Sequence, residues 1–152
     1  RCGDSRFAIA EKIKSQDPDF SLHEIELDET SQYNLHTDEA TLLSGTIQNR
    51  DLLRQALPEL KKAEPDHEKI GRLLSEHHTV LRDVLDVSTP KIEMMLEAAM
   101  DAGALGGKIN GSGGGGCMFA YIPQNPEKVV EEIEKTGGKA YIIHSEEGTR
   151  ID

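Results

Sequence analysis

Five of the chain's 14 glycines lie within six consecutive positions, in the stretch KINGSGGGGC at residues 108–117. Glycine adopts positive φ angles without steric cost and leaves the backbone amides uncovered, but so dense a run loses much conformational entropy on folding. Apolar, strand-like sequence flanks the run on both sides. Successive uncovered amides can bind an anion, most often a phosphate. The run therefore predicts a connection between two strands that a ligand approaches closely.

The glycine stretch contains the spacing G-x-G-x-x-G, which several classes of phosphate-binding loop share. A dinucleotide-binding loop is followed by a helix, whereas residues 117–122 (CMFAYI) are strand-like. A Walker A loop ends in G-K-[ST], but Cys117 and Met118 follow the last glycine here. A protein-kinase loop does join two strands, yet the chain has neither H-R-D nor D-F-G. A flexible hairpin connection without a ligand stays open as an alternative.

Composition limits the class of protein. The 152 residues fit one domain, and with only 4% aromatic residues its core must be aliphatic. The net charge of −11 argues against nucleic acid or an anionic membrane as a partner, and no apolar run is long enough to span a bilayer. Cys2 and Cys117 form no C-x-x-C motif, which predicts a reducing, cytoplasmic compartment.

The hydrophobic pattern predicts helices alternating with strands. Helices are predicted over residues 4–14, 38–57, 66–86, 90–102 and 126–136, with Pro58 ending the second. Strands are predicted at residues 22–27, 104–109, 117–122 and 141–143. Asp66, Thr89 and Asn125 are predicted N-caps, and the last two precede a proline. The order predicts an α+β sandwich, in which helices cover one face of an antiparallel sheet.

Other residues carry weaker chemical signals. His77 and His78 are adjacent and cannot share a helix face, so one inward histidine is predicted, with His77 on the apolar face, and no metal site. Cys117 is predicted to be a small core residue rather than a nucleophile. Arg72 and Glu76 are spaced to form a surface pair along a helix. No catalytic residue is predicted.

The glycine stretch resembles the third motif of the GHMP kinase family, roughly K-x-T-G-A-G-x-G-G-C. Residues 74–83 (LSEHHTVLRD) resemble the galactokinase stretch with E-S-H followed by L-R-D, and residues 86–90 (DVSTP) resemble its V-S-x-P. Residues 97–99 (EAA) and 103–106 (GALG) resemble E-A-A and G-A-x-G, and residues 148–150 (GTR) resemble the closing G-x-R. The resemblance therefore extends over essentially the whole chain. Within the family, the chain is most similar to galactokinases.

Two positions depart from that pattern. Asn110 stands where threonine is usual, and Gly114 stands where many galactokinases have phenylalanine. The glycine stretch by itself is therefore more similar to the mevalonate kinase form, whereas the flanking helices resemble galactokinases.

The resemblance implies that residues 1–152 are the C-terminal domain of a GHMP kinase with a ferredoxin-like α+β fold. It implies ATP and Mg²⁺ as cofactors, a sugar hydroxyl as acceptor with galactose first, and a place in galactose metabolism. It also implies cofactor contacts at Gly111, Ser112, Gly113, Gly114, Gly115 and Gly116.

The family's second motif, of the type P-x-x-x-G-L-G-S-S-A, does not occur in this sequence. The N-terminal domain, which would bind most of the ATP and supply the catalytic base, is therefore expected to lie outside this chain. The isolated chain is expected to be inactive, and its uncovered interface can drive self-association. Two alternatives stay open. One is another GHMP kinase, acting on a different sugar, mevalonate or homoserine, and the other is a stand-alone, non-enzymatic ligand-binding domain.

Overall fold

The computed structural model describes residues 2–111 and 113–144, with side chains from residue 7 onward. Its helices are α1 (Cys2–Lys14), α2 (Thr37–Leu60), α3 (His67–Asp83), α4 (Pro90–Asp101) and α5 (Pro126–Lys135), with a 3-10 helix at Asp28–Gln32. Its strands are β1 (Gly106–Asn110) and β2 (Cys117–Tyr121). The predicted α+β class is confirmed. No helix in this part of the chain is long and apolar enough to cross a membrane.

The two strands form an antiparallel pair in which Asn110 lies opposite Cys117. One face of this pair is covered by helices, because Ile109 of β1 packs with Ile92 and Leu96 of α4, and Met118 of β2 packs against the same cluster. A second cluster joins α4 to α5 and also receives side chains from β2. The predicted arrangement of sheet and helices is confirmed, and it leaves the glycine stretch at the turn between β1 and β2.

The segment at residues 22–27 forms turns, so the predicted strand there is wrong. The backbone amides of Glu24 and Ile25 both donate to the carbonyl of Ser21 at 3.0 Å. The Arg50 guanidinium, which comes from α2, donates to the carbonyls of Leu22 at 2.8 Å and Ile25 at 2.6 Å. In a sheet, a neighbouring strand would form hydrogen bonds with the backbone amides and carbonyls of this segment. Here the carbonyl of Ser21 and the side chain of Arg50 form them instead.

Helix α2 continues through Pro58 to Leu60, so the predicted stop at the proline is wrong. A proline in the last turn removes only one hydrogen bond, and the next residue, Glu59, anchors the turn that leads into α3. The Glu59 side chain is 1% exposed and accepts from the backbone amide of Asp66 at 2.9 Å and from Lys69 at 3.0 Å. A hydrogen bond from Lys62, followed by these two, lowers the pKa of Glu59 to about 2.

The predicted caps mostly form. Asp66 accepts from the backbone amide of Lys69 at 2.9 Å, and Thr89 accepts from that of Ile92 at 3.4 Å with Pro90 in the first turn. Asn125 precedes α5 but makes no capping hydrogen bond, because it adopts a left-handed conformation with φ of 52°. All three predicted helix starts are therefore confirmed, but only Asp66 and Thr89 form the capping hydrogen bond.

Residues 141–143 are not part of a strand, so the prediction of a final strand is wrong for the described part of the chain. Tyr141 and Ile143 are 70% and 80% exposed. Neither β1 nor β2 pairs with this segment, and an apolar sequence without a partner strand has no ladder to join.

Candidate functional site

The glycine segment, residues 111–116, connects β1 to β2, and its Ser112 lies outside the described residues. Gly111, Gly113, Gly114 and Gly115 all have positive φ angles, between 77° and 97°. A side chain at such φ values clashes with its own backbone, so only glycine adopts them freely. The glycine density seen in the sequence is therefore explained by the backbone path of the turn.

The glycine segment rests on the connection between α3 and α4. A Cβ atom placed on Gly113 would lie 2.6 Å from the Cβ of Val87 and 2.7 Å from its carbonyl oxygen. The backbone amide of Gly114 donates to that same carbonyl at 2.9 Å. Gly113 is thus needed for close approach as well as for its φ angle, and the Gly114 amide is engaged within the protein.

The other side of the segment is open. A Cβ atom placed on Gly111, Gly114 or Gly116 would meet no atom outside its chain neighbours within 4 Å. A ligand can therefore approach this backbone more closely than side chains would allow. This arrangement fits a group such as a nucleotide phosphate, which is commonly bound by exposed glycine backbone.

A buried histidine connects the start of the glycine segment to its support. His78, on α3, accepts a hydrogen bond at Nδ1 from the backbone amide of Ile109, 3.2 Å away. Its Nε2 lies 2.8 Å from Oε1 of Glu93 on α4, and the Ser88 hydroxyl donates to the same oxygen. Burial alone would raise the pKa of Glu93, but the hydrogen bonds from Ser88 and His78 outweigh it and lower that pKa.

The placement of the two adjacent histidines differs from the prediction. His78 is the buried one, at 5% exposure, and His77 is only half-buried, so the assignment of His77 to the apolar face is wrong. Helix α3 packs against both α2 and β1, so its buried face is wide and includes Gly71 and His78. Gly71 marks the side towards β1, because a Cβ there would lie 2.2 Å from the carbonyl oxygen of Leu105.

The seven-residue spacing between Gly71 and His78 is the sequence signal that could have identified His78 as the buried histidine. The two residues are two helical turns apart and so share a face of α3. A glycine inside a helix marks a close approach of another element, and a histidine on the same face then meets that element.

The remaining sequence candidates are surface features. Cys117 is exposed at the start of β2, so its assignment to the core is wrong. Its neighbour Met118 takes the inward position of the alternating strand. Arg72 and Glu76 form the predicted pair at 3.8 Å on an exposed face, where such pairs contribute little to stability. Among the described residues, no group of three or more His, Cys, Asp and Glu side chains is placed to hold a metal ion.

Comparison with known proteins gives the family. The family model described as GHMP kinases C terminal matches residues 53–139, which include α3, α4 and the whole glycine segment. The chain belongs to the GHMP kinase family. The resemblance drawn from the glycine stretch is thereby confirmed, and the glycine segment and His78 both lie within the residues that the family model matches.

Relatives include two kinds of kinase. The chain is 45% identical over 86 residues to the mevalonate kinase of Thermococcus gammatolerans, covering 56% of this chain and 25% of that protein. It is 33% identical over 91 residues to the galactokinase of Canis lupus familiaris, covering 57% of this chain and 23% of that protein. The chain thus spans about a quarter of the length of the curated relatives it matches.

A solved structure shares the fold. The crystal structure of Lactococcus lactis galactokinase complexed with galactose matches with a TM-score of 0.71 at 20% identity, over 90% of this chain and 38% of that one. At this identity the match concerns the fold alone. It covers more of the chain than the family model does, so the shared fold extends beyond residues 53–139.

Proposed function

We propose that the protein to which this chain belongs transfers the terminal phosphoryl group of ATP to an alcohol hydroxyl of a small molecule, with a sugar as the first candidate acceptor. The observation that carries this proposal is the glycine segment, whose backbone is turned by positive φ angles and is open on one side, in a domain of the GHMP kinase family. Phosphoryl transfer depends mostly on positioning and on stabilising charge, which an exposed backbone can provide.

The proposed cofactor-binding residues are Gly111, Ser112, Gly113, Gly114, Gly115 and Gly116, with Ser112 included from its position in the sequence. When bound, ATP supplies the phosphoryl group and Mg²⁺ neutralises its charge. The open backbone at Gly111 and Gly116 gives the phosphates, or a second phosphate-binding loop, room to pack against this segment. Gly113 and Gly114 instead fix the segment to the protein through Val87.

A sugar acceptor is supported by the galactokinase-like stretches at residues 74–83 and 86–90 and by the identity with mammalian galactokinases. Mevalonate is the second candidate acceptor. It is supported by the higher identity with archaeal mevalonate kinases, 45% against 33%, and by Gly114, which replaces the phenylalanine of many galactokinases. The two candidates share the site and the type of reaction, and they differ only in the acceptor alcohol.

We further propose that an N-terminal domain, encoded together with this chain, supplies the catalytic base and most of the ATP contacts. The relatives are about four times as long as the segment that matches them, which leaves room for such a domain. The proposed compartment is the cytoplasm, in keeping with the absence of a C-x-x-C motif.

The test is an assay of ADP release by the full-length protein with ATP, Mg²⁺ and a panel of acceptors that includes galactose, other hexoses, mevalonate and homoserine. Turnover with a hexose supports the first candidate, and turnover with mevalonate alone supports the second. The absence of turnover with every acceptor contradicts the proposal. The isolated 152 residues are expected to be inactive, and activity in that sample would contradict the proposed role of the N-terminal domain.

The role of the glycine segment is tested with two variants at one position. Gly116→Ala adds a single methyl group, and Gly116→Leu fills the open space above a residue whose φ is not positive. We expect Gly116→Leu to raise the KM for ATP and Gly116→Ala to have little effect, with similar thermal stability in both. An unchanged KM for ATP in the leucine variant would place the nucleotide elsewhere.

A further inference from the structure

His78 has both ring nitrogens engaged, which fixes its protonation pattern. Its Nδ1 accepts from the backbone amide of Ile109 at 3.2 Å, so that nitrogen carries no proton. The proton of the neutral ring then lies on Nε2, from which it is donated to Glu93 at 2.8 Å. The ring is buried, with 5% of the residue exposed, so these two bonds are not readily exchanged for bonds to water.

The Ile109 amide needs this acceptor because of where β1 lies. β2 pairs with one edge of β1, and among the described residues it is α3, and no third strand, that lies along the other edge. Ile109 is 1% exposed, and a buried amide without an acceptor is costly. His78 therefore accepts the hydrogen bond that a neighbouring strand would otherwise accept, at a point two residues before the glycine segment begins.

The second bond of His78 reaches the support beneath the same segment. Glu93 also accepts from the hydroxyl of Ser88, the residue that follows Val87. Val87 contacts Gly113 and accepts from the amide of Gly114. One imidazole thus connects the strand that enters the glycine segment to the connection on which the segment rests.

We infer that His78 is a positioning residue for the glycine segment, acting through the backbone of Ile109, and not only a packing residue of the core. The inference rests on the proposed function, in which this segment faces the nucleotide phosphates. Displacement of a binding group by about 1 Å can reduce catalysis by about a hundredfold, so a residue that fixes the entry of the segment affects turnover without touching the substrate.

Two substitutions separate the two bonds in the full-length protein. His78→Asn carries an oxygen at the δ position of the side chain and can still accept from Ile109, but it has no donor at the ε position. His78→Gln carries an amide nitrogen at the ε position and can still donate to Glu93, but it has no acceptor at the δ position. His77→Gln, at the half-buried neighbour, serves as the control for a change of side chain on this helix.

The measurements are hydrogen–deuterium exchange of the peptide that contains residues 109–118, without nucleotide, together with kcat, the KM for ATP and the unfolding midpoint. We expect His78→Gln to exchange faster in this peptide and to lower kcat/KM for ATP by about tenfold or more. His78→Asn is expected to keep the wild-type exchange pattern and to stay within about threefold in kcat/KM, although both variants lose stability by losing one buried hydrogen bond. The control variant His77→Gln should change neither the exchange of residues 109–118 nor kcat/KM for ATP.

The outcomes distinguish the inference from the proposed function. If exchange speeds up and kcat/KM falls to the same extent in the asparagine and glutamine variants, in proportion to their loss of stability, His78 is a packing residue and the inference is wrong. If His78→Gln leaves exchange at residues 109–118 unchanged, the inference is wrong as well. If exchange separates the two variants but the wild-type protein phosphorylates no acceptor, the positioning of the segment by His78 stands and the proposed function fails.

Discussion

Replacing Gly113 by alanine is expected to destabilise the fold more than the same change at any other described glycine of the segment. Gly113 combines a φ of 83° with contact to Val87, where the new Cβ would lie 2.6 Å from the Cβ and 2.7 Å from the carbonyl oxygen. The left-handed conformation costs about 1–2 kcal/mol for a residue with a side chain. Forcing an extra carbon into a packed contact costs about a further 1–3 kcal/mol.

Two neighbours provide the controls for these contributions. Gly114 has a φ of 77° and open space above it, so Gly114→Ala carries the conformational penalty without the contact with Val87. Gly116 has open space and no positive φ, so Gly116→Ala is expected to be neutral or to stabilise the protein by about 0.4–1 kcal/mol through the unfolded chain. The expected loss is about 2–5 kcal/mol at Gly113 and about 1–2 kcal/mol at Gly114.

The assay is equilibrium unfolding of the full-length protein in urea, followed by circular dichroism, with the three alanine variants measured side by side. The difference between Gly113→Ala and Gly114→Ala isolates the contact with Val87. Equal stability of these two variants would show that the segment does not rest on Val87. A Gly116→Ala variant as unstable as Gly113→Ala would refute the backbone path described for the turn. Tests of nucleotide binding should therefore use Gly116, because substitutions at Gly113 affect folding as well.

Three further predictions concern the surroundings of the site. Gly71→Ala should lower the free energy of unfolding, because its Cβ would lie 2.2 Å from a backbone oxygen of Leu105. This loss should exceed the gain of about 1 kcal/mol by which alanine favours a helix over glycine. A raised melting temperature would contradict this packing. Thr89→Ala removes the cap of α4 and should lower the free energy of unfolding, measured in urea, by about 1 kcal/mol. Thr89→Ser keeps a capping hydroxyl and should lose less stability. Equal losses in the two variants would argue against capping. The pKa of Glu59 is about 2 in the folded protein and 4.5 in the unfolded chain, so its stabilising contribution is fully present above pH 4.5 and lost as the pH falls towards 2. Glu59→Gln should lack that part of the acid dependence in unfolding curves between pH 6 and 2, and an unchanged acid profile would contradict the assignment.

Much of the local structure follows from short-range chemistry that the sequence displays. Asp66 and Thr89 begin their helices as predicted, because a cap depends on a side chain and a backbone amide three residues away. The glycine segment was predicted as a connection between two strands, and its positive φ angles follow from the residue type. The family is predicted by the resemblance of this stretch, and of the flanking segments at residues 74–83 and 86–90, to known GHMP kinase motifs.

The errors arose where a distant element supplies what the local pattern lacks. The strand predicted at residues 22–27 is replaced by turns whose carbonyls bond Arg50, a residue more than 20 positions away. Helix α2 continues through Pro58 while Glu59 bonds groups in and before α3. The strand predicted at residues 141–143 has no partner in the described part of the chain.

The sequence by itself determined the glycine segment, the helix starts at Asp66 and Thr89 and the membership of the GHMP kinases, because each depends on residue types at short, fixed spacing. Only the tertiary structure decided that His78, rather than His77, faces β1 and that Gly113 rests on Val87. Helix α3 is packed on two sides, so its inward positions depend on where α2 and β1 lie. Contacts between elements far apart in the chain are set by the packing of the whole domain, which no local spacing encodes.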